Sequence, residues 1–241
     1  MKKKYTAVAM ALAAASLIGA SAAYAIPTLQ LDIEGGTYDP VTETVLASGT
    51  PFILDALLIP DQDTLVGLQY YISAAIVPKV LEPGADLGSF TFGGVTVDVT
   101  DDMTFGTPPI ATVDKDLASH GIFETYYAEF AFNVWDGTNT PYNTQYEPGT
   151  LFDNIPGTGS YYHRVEVDVS GLTEGYVVHF DLYTYGDLPG GNDKTGITEF
   201  APFSHDAQSG PGSNPIPEPA TMLLFGTGLA GLAGLARRKK E

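Results

Sequence analysis

The sequence predicts an all-β domain, a single β-sandwich of jelly-roll or immunoglobulin-like type, between two apolar end segments. Three observations predict it. Apolar and polar residues alternate with period two, paired turn residues separate these runs, and little helical pattern lies between them. Seven or more short strands with little helix are typical of a sandwich. We expect this domain to cover residues 26–209.

Short alternating segments supply most of the predicted strands, each with one apolar face and one polar face. They are residues 29–33, 95–99, 126–134, 164–169 and 176–182. Two longer apolar runs, 52–59 and 65–77, predict buried strands, although the second also fits a short helix. Turn signals separate the runs at 35–36, 93–94, 108–109, 136–137 and 190–191. The segment 187–215 has the composition of a loop-rich exit from the domain.

The first 25 residues have the pattern of a removable signal peptide. Lys2–Lys4 form a positive start, Ala7–Ala20 form an apolar run, and Ala23 and Ala25 form a small-x-small cleavage site. An uncleaved N-terminal anchor is the alternative, but a helix that spans a bilayer needs about 20 apolar residues and this run is shorter. We therefore expect signal peptidase to cut after Ala25.

A second apolar run closes the sequence. Residues 220–236 contain no charge and follow Pro217-Glu218-Pro219, and a linker at 210–216 precedes these residues. The length is at the lower limit for a transmembrane helix, and a plain C-terminal anchor is one interpretation. The run is followed by the basic residues Arg237, Arg238, Lys239 and Lys240. By the positive-inside rule these residues stay in the cytoplasm and the domain lies outside.

Together, Pro-Glu-Pro, the apolar run and the basic cluster at 217–241 resemble the PEP-CTERM sorting domain. The resemblance implies cleavage by an exosortase-like membrane protease near Pro217-Glu218-Pro219. It implies an inner-membrane intermediate and then a cell-surface or extracellular product in a Gram-negative bacterium that makes exopolysaccharide, often in biofilms. Separately, residues 29–39 and 200–209 resemble the choice-of-anchor N group of exported proteins, which brings no known activity.

Charge and cysteine content exclude several classes of function. Residues 26–217 hold 27 of the 29 acidic residues and only four basic ones, Lys79, Lys115, Arg164 and Lys194. Such a surface repels nucleic acid, so we expect no nucleic-acid partner. The chain has no cysteine, which excludes disulfides, thiolate metal sites and cysteine nucleophiles. An exported domain of this kind depends on its hydrophobic core.

Catalytic motifs are missing from the sequence. The four histidines do not form HExxH, and no G-x-S-x-G occurs. Ser204, His205 and Asp206 are adjacent and have the residue types of a catalytic triad. Since triad members normally come from separate segments, we interpret these residues as a polar loop.

Acidic residues near turns are candidate calcium ligands, because calcium takes six to eight oxygens from carboxylates and carbonyls. The candidates are Asp61, Asp63, Asp114 and Asp116, with Asp187 and Asp193 as a second cluster. The alternative is that these acids simply face water, since no EF-hand consensus is present. Calcium is the one cofactor that the sequence indicates.

The sequence favours a non-enzymatic surface or extracellular-matrix protein. One alternative is an extracellular glycan-active enzyme with two carboxylate catalysts about 5 to 10 Å apart. The other is a carbohydrate- or calcium-binding module, in which the tyrosine doublets 70–71, 126–127 and 161–162 would each place one ring on either side of a strand.

Overall fold

The computed structural model describes residues 26–61, 63–107, 124–150, 157–187 and 195–210. Within these residues the protein is all-β: it has fourteen strands, two 3-10 turns and no α-helix. The strands are β1 Leu29–Ile33, β2 Thr37–Asp39, β3 Thr44–Leu46, β4 Phe52–Leu58, β5 Tyr70–Val77, β6 Ser89–Phe92, β7 Val95–Asp98, β8 Thr104–Gly106, β9 Thr125–Phe132, β10 Gly137–Asn139, β11 Ser160–Asp168, β12 Val177–Asp187, β13 Thr195–Phe200 and β14 Asp206–Gln208.

The strands form two sheets. Sheet A has six strands in the order β1-β4-β11-β6-β7, with β10 beside β11. Sheet B has eight strands in the order β2-β3-β14-β12-β5-β9-β8, with β13 beside β12. The pairings are antiparallel except between β14 and β3, which are parallel. This order places β12 next to β14, β5 and β13, at the centre of sheet B.

One hydrophobic core lies between the sheets. Phe52 of sheet A contacts Phe180 of sheet B with ring centroids 6.3 Å apart, and Phe92 stacks on Phe130 at 3.9 Å. Alternate residues of β1, β4, β5 and β12 supply about half of the buried aliphatic side chains. Two sheets that share one core are consistent with the predicted β-sandwich.

The alternating segments are confirmed as strands β1, β7, β9, β11 and β12, and the apolar run 52–59 is confirmed as β4. The run 65–77 divides into the end of a 3-10 turn, Asp63–Gly67, and strand β5. The turn signal at 93–94 connects β6 to β7, and both glycines have the positive φ that a two-residue hairpin requires.

The prediction of a loop-rich exit over 187–215 is wrong for its described part. Residues 195–200 form β13, which pairs with β12 through a register shift, and residues 206–208 form β14. Both segments are short. Strand β13 pairs with the preceding strand β12, whereas β14 also pairs with β3, which is distant in sequence, so composition alone does not reveal them. The predicted turn at 136–137 is also revised, because Gly137 begins β10.

The predicted signal peptide at 1–25 and the tail at 217–241 lie outside the described residues, as does the linker after Gly210. In the part of the chain that is described, no helix is both long and apolar enough to span a membrane.

Candidate functional site

Strand β12 carries a buried polar row on the face of sheet B that points away from the core. Val178, Phe180 and Leu182 alternate into the core, so His179 and Asp181 project from the opposite face. This face is nevertheless covered, because His179 is only 8% exposed and Asp181 only 4%. Buried ionisable groups need partners, and this row therefore marks a specific arrangement.

Asp206 of β14 completes a cluster with these two residues. The Nε2 atom of His179 lies 3.6 Å from Oδ1 of Asp181 and 3.6 Å from Oδ2 of Asp206. One ligand atom from each of the three residues lies within 4.8 Å of the others. Strand pairing explains the convergence, since His179 is opposite Gln208 and Asp206 is two residues from Gln208 on the same face.

Electrostatics in the cluster favour a cation between the two carboxylates. Burial by itself lowers the pKa of His179, but Asp181 and Asp206 outweigh it and raise that pKa to about 10. Burial raises the pKa of Asp206 well above its ordinary value, although His179 opposes the shift. Without another cation, His179 is an imidazolium held by two aspartates.

Ser73 of β5 orients Asp181. Ser73 is the cross-strand partner of Asp181, and its hydroxyl donates to Oδ2 of Asp181 at 3.2 Å. The other carboxylate oxygen, Oδ1, is the one that faces His179. On the far side of Ser73, its β9 partner Glu129 accepts hydrogen bonds from the hydroxyls of Tyr183 and Tyr185.

The sequence by itself indicates part of this cluster. Histidine and aspartate at positions 179 and 181 are two residues apart in a strand, which places both side chains on one face. Asp206 is predicted to lie in a polar loop, yet it begins β14 and is only 3% exposed. Its meeting with His179 depends on the pairing of β14 with β12.

Ser204, His205 and Asp206, which have the residue types of a catalytic triad, do not form one in the structure. The Ser204 hydroxyl lies 2.8 Å from Nδ1 of His205, whose Nε2 lies 3.1 Å from Oδ1 of Asn143. Asp206 faces His179 instead. Burial lowers the pKa of His205 to about 4, so its imidazole is neutral. The interpretation as a polar loop is corrected to a 3-10 turn followed by a buried strand.

A second buried polar network lies on the outer face of sheet A. Asp55 accepts a hydrogen bond from Nε of Arg164 at 3.1 Å, and the same guanidinium is 2.5 Å from Glu34. Asp32, next to Asp55, accepts hydrogen bonds from the Tyr142 hydroxyl at 2.7 Å and the Gly149 N–H at 2.8 Å. These contacts hold the segment around 142–149 on sheet A, which is a structural role.

Comparison with family models supplies the decisive observation on the C-terminus. A PEP-CTERM protein-sorting motif matches residues 215–240. The chain carries a PEP-CTERM sorting motif. The match covers the predicted cleavage residues Pro217, Glu218 and Pro219, the apolar run and the basic residues from Arg237 to Lys240. The motif indicates an exported protein that passes through the membrane to the cell surface and is processed by an exosortase-type protease.

Comparisons with curated proteins and with solved structures find no match to this chain. The resemblance of its β-rich domain to the choice-of-anchor N group therefore stays a prediction. The signal-peptide residues Ala23 and Ala25 likewise stay predicted, since they lie outside the described residues.

The described residues do not test the six calcium candidates. Asp61 is exposed. Asp63 begins a 3-10 turn and Asp187 ends β12, but the description does not extend to their side chains. Asp114, Asp116 and Asp193 lie outside the described residues. Calcium binding by these six aspartates remains a prediction from sequence.

Proposed function

We propose that this chain is a non-enzymatic surface or extracellular-matrix protein of a Gram-negative bacterium. Signal peptidase releases it at the N-terminus, and an exosortase-type protease releases it from the inner membrane at the C-terminus. The observation that carries the proposal is the PEP-CTERM motif at 215–240, only a few residues beyond the last described strand, β14. The product is exposed among exopolysaccharides, as a component of the biofilm or cell surface.

The disposition of the acidic residues supports a non-catalytic role. Among the described residues, four aspartates are buried and contact partners from within the fold itself: Asp32, Asp55, Asp181 and Asp206. A glycosidase needs one carboxylate to protonate the leaving group and another to attack or activate water. Glu129, on the outer face of sheet B, already accepts hydrogen bonds from two tyrosine hydroxyls. These carboxylates serve the structure rather than an open cleft.

Mass spectrometry of the protein from its native host tests the sorting step. The surface-exposed form should begin at Ile26 and lack residues 237–240. Replacing Pro217, Glu218 and Pro219 by alanine should leave the chain in the membrane fraction with its basic cluster intact. The matched control replaces Gly212, Ser213 and Asn214 by alanine and should be processed normally. Intact Arg237–Lys240 on most surface-exposed wild-type molecules would instead show a permanent C-terminal anchor.

The matrix role needs its own measurement, because correct sorting does not establish it. Deletion of the gene should reduce the biofilm mass or the cohesion of cell aggregates, and the wild-type chain should restore it. The alanine variant at 217–219 should fail to restore it while the control variant succeeds. Full biofilm in the deletion strain would contradict the matrix role and leave the sorting conclusion intact.

A further inference from the structure

We propose that His179, Asp181 and Asp206 bind one divalent transition-metal ion of the zinc class, which links β14 to β12. The three residues come from two neighbouring strands and place one nitrogen and two oxygens around a common point. This site goes beyond the proposed surface role and does not depend on it.

The distances fit a metal better than direct hydrogen bonds. The two Nε2–Oδ separations of 3.6 Å exceed the range of an N–H···O hydrogen bond. Zinc binds imidazole nitrogen and carboxylate oxygen at about 2.0 to 2.2 Å with tetrahedral geometry. Two ligands at tetrahedral angles around such an ion lie about 3.4 Å apart. The two histidine–aspartate separations are therefore close to two edges of a zinc coordination tetrahedron, and all three ligand atoms lie within 4.8 Å of one another.

The site also has the surroundings of a prepared metal centre. Metal-binding carboxylates are usually fixed by further hydrogen bonds that orient them. Ser73 does this for Asp181, because the Ser73 hydroxyl donates a hydrogen bond to Oδ2 of Asp181 and leaves Oδ1 directed at His179. All three ligands are less than a tenth exposed, and all three lie on paired strands rather than on loops.

Charge balance favours a divalent ion at this position. A divalent ion with a neutral imidazole and two carboxylates is neutral overall. Burying uncompensated charge is costly, so a divalent ion suits a site where His179 is 8% exposed, Asp181 4% and Asp206 3%.

The donor set selects the class of metal. Imidazole suits zinc and its neighbours in the first transition row, whereas calcium and magnesium prefer oxygen ligands alone. This site is thus chemically distinct from the all-aspartate calcium candidates. Three protein ligands leave the fourth position of a tetrahedral ion to another donor, such as water, and all three protein ligands are buried.

The position of the site indicates what the metal does. Strand β14 is short, joins β12 through only the pairs His179–Gln208 and Phe180–Ala207, and is the last described strand before the sorting motif. The chain has no cysteine with which to cross-link its C-terminal end. A metal held by both β12 and β14 supplies that cross-link outside the cell, and it stabilises only the folded state.

The test uses the full-length chain, purified in detergent and stripped of metal with a chelator. Titration with zinc at pH 7, followed by calorimetry with a competing chelator, should show one ion per chain. His179→Gln and Asp206→Asn should each lower the affinity for zinc by at least about 100-fold, and Ser73→Ala by roughly tenfold, as for other orienting residues. The control His163→Gln, on sheet A, should bind zinc like the wild type. Calcium and magnesium at millimolar concentration should not displace the bound zinc from the wild-type chain.

A second measurement covers variants that fail to fold. X-ray absorption of the zinc-loaded wild-type chain should show one imidazole and otherwise oxygen ligands, and cobalt in place of zinc should give the absorption bands of a tetrahedral site. No zinc binding by the wild type, or zinc bound without an imidazole, overturns the proposal. Equal affinity of wild type and folded His179→Gln overturns it as well, and leaves the three residues as an ion triad.

Discussion

Asp32 and Asp55 are cross-strand partners on β1 and β4, and both carboxyl groups are fully buried. Each carboxyl group has different hydrogen-bond donors. Asp32 accepts hydrogen bonds from the Tyr142 hydroxyl and from backbone N–H groups, and Asp55 accepts one from the Arg164 guanidinium. Burial raises the pKa of Asp32 to about 7 and the pKa of Asp55 to about 8, although these partners lower both. The outer face of sheet A is therefore sensitive to pH.

Residues 26–217, expressed alone, should fold into a soluble and strand-dominated domain, because the shared core and both buried networks lie within this segment. Far-UV circular dichroism should show a β spectrum, and urea should unfold it cooperatively. A spectrum dominated by helix would contradict the all-β assignment.

Stability should fall as the pH rises from about 4 to about 8. The folded pKa values of Asp32 and Asp55 are raised above the ordinary value of 3.8, so the folded state binds more protons than the unfolded chain in this window. Their contribution is complete below about pH 4 and is lost as the pH passes about 7 and about 8.

Asp55→Asn, which mimics the protonated carboxyl, should reduce the slope of unfolding free energy against pH, measured by urea denaturation at each pH. The exposed control Asp101→Asn should keep the wild-type slope. Identical slopes for Asp55→Asn and the wild type would show that Asp55 stays ionised in the folded state.

Tyr142→Phe should destabilise the domain by about 1 to 3 kcal/mol, because it removes the hydroxyl that donates to buried Asp32. Tyr71→Phe is the control, since the Tyr71 hydroxyl makes a longer, exposed hydrogen bond to Gln69. Urea unfolding at pH 8 measures the difference, and equal stabilities of the two variants would argue against a role for Tyr142 in holding its segment on sheet A.

Gly88→Ala should destabilise the domain much more than Gly94→Ala. The two glycines have nearly the same positive φ, +78° and +79°, so backbone strain costs a similar amount of about 1 to 2 kcal/mol at each. A Cβ atom at Gly88 would lie 2.2 Å from the Gly171 carbonyl oxygen, whereas one at Gly94 meets nothing within 4 Å. Thermal melting of both variants isolates the steric effect, and similar melting temperatures would show that the Gly88 contact relaxes without cost.

The sequence determined the features that depend on neighbouring residues. Period-two alternation in 29–33 or 126–134 states that a strand forms and which face is apolar, because side chains alternate locally along any strand. The sorting motif also depends only on neighbouring residues, since it consists of Pro217-Glu218-Pro219, an apolar run and a basic end in that order along the chain. No strand pairing was needed for either.

Only the tertiary structure decided what happens on the polar faces. The pattern of β1 indicates that Asp32 is on the polar face, but Tyr142, 110 residues away, buries it. In the same way, β14 brings Asp206 to His179, and residues predicted to form a loop become part of the buried cluster of His179, Asp181 and Asp206. Alternation gives the direction of a side chain, whereas its partner depends on which distant segment packs there, and that is set by the free energy of the whole fold.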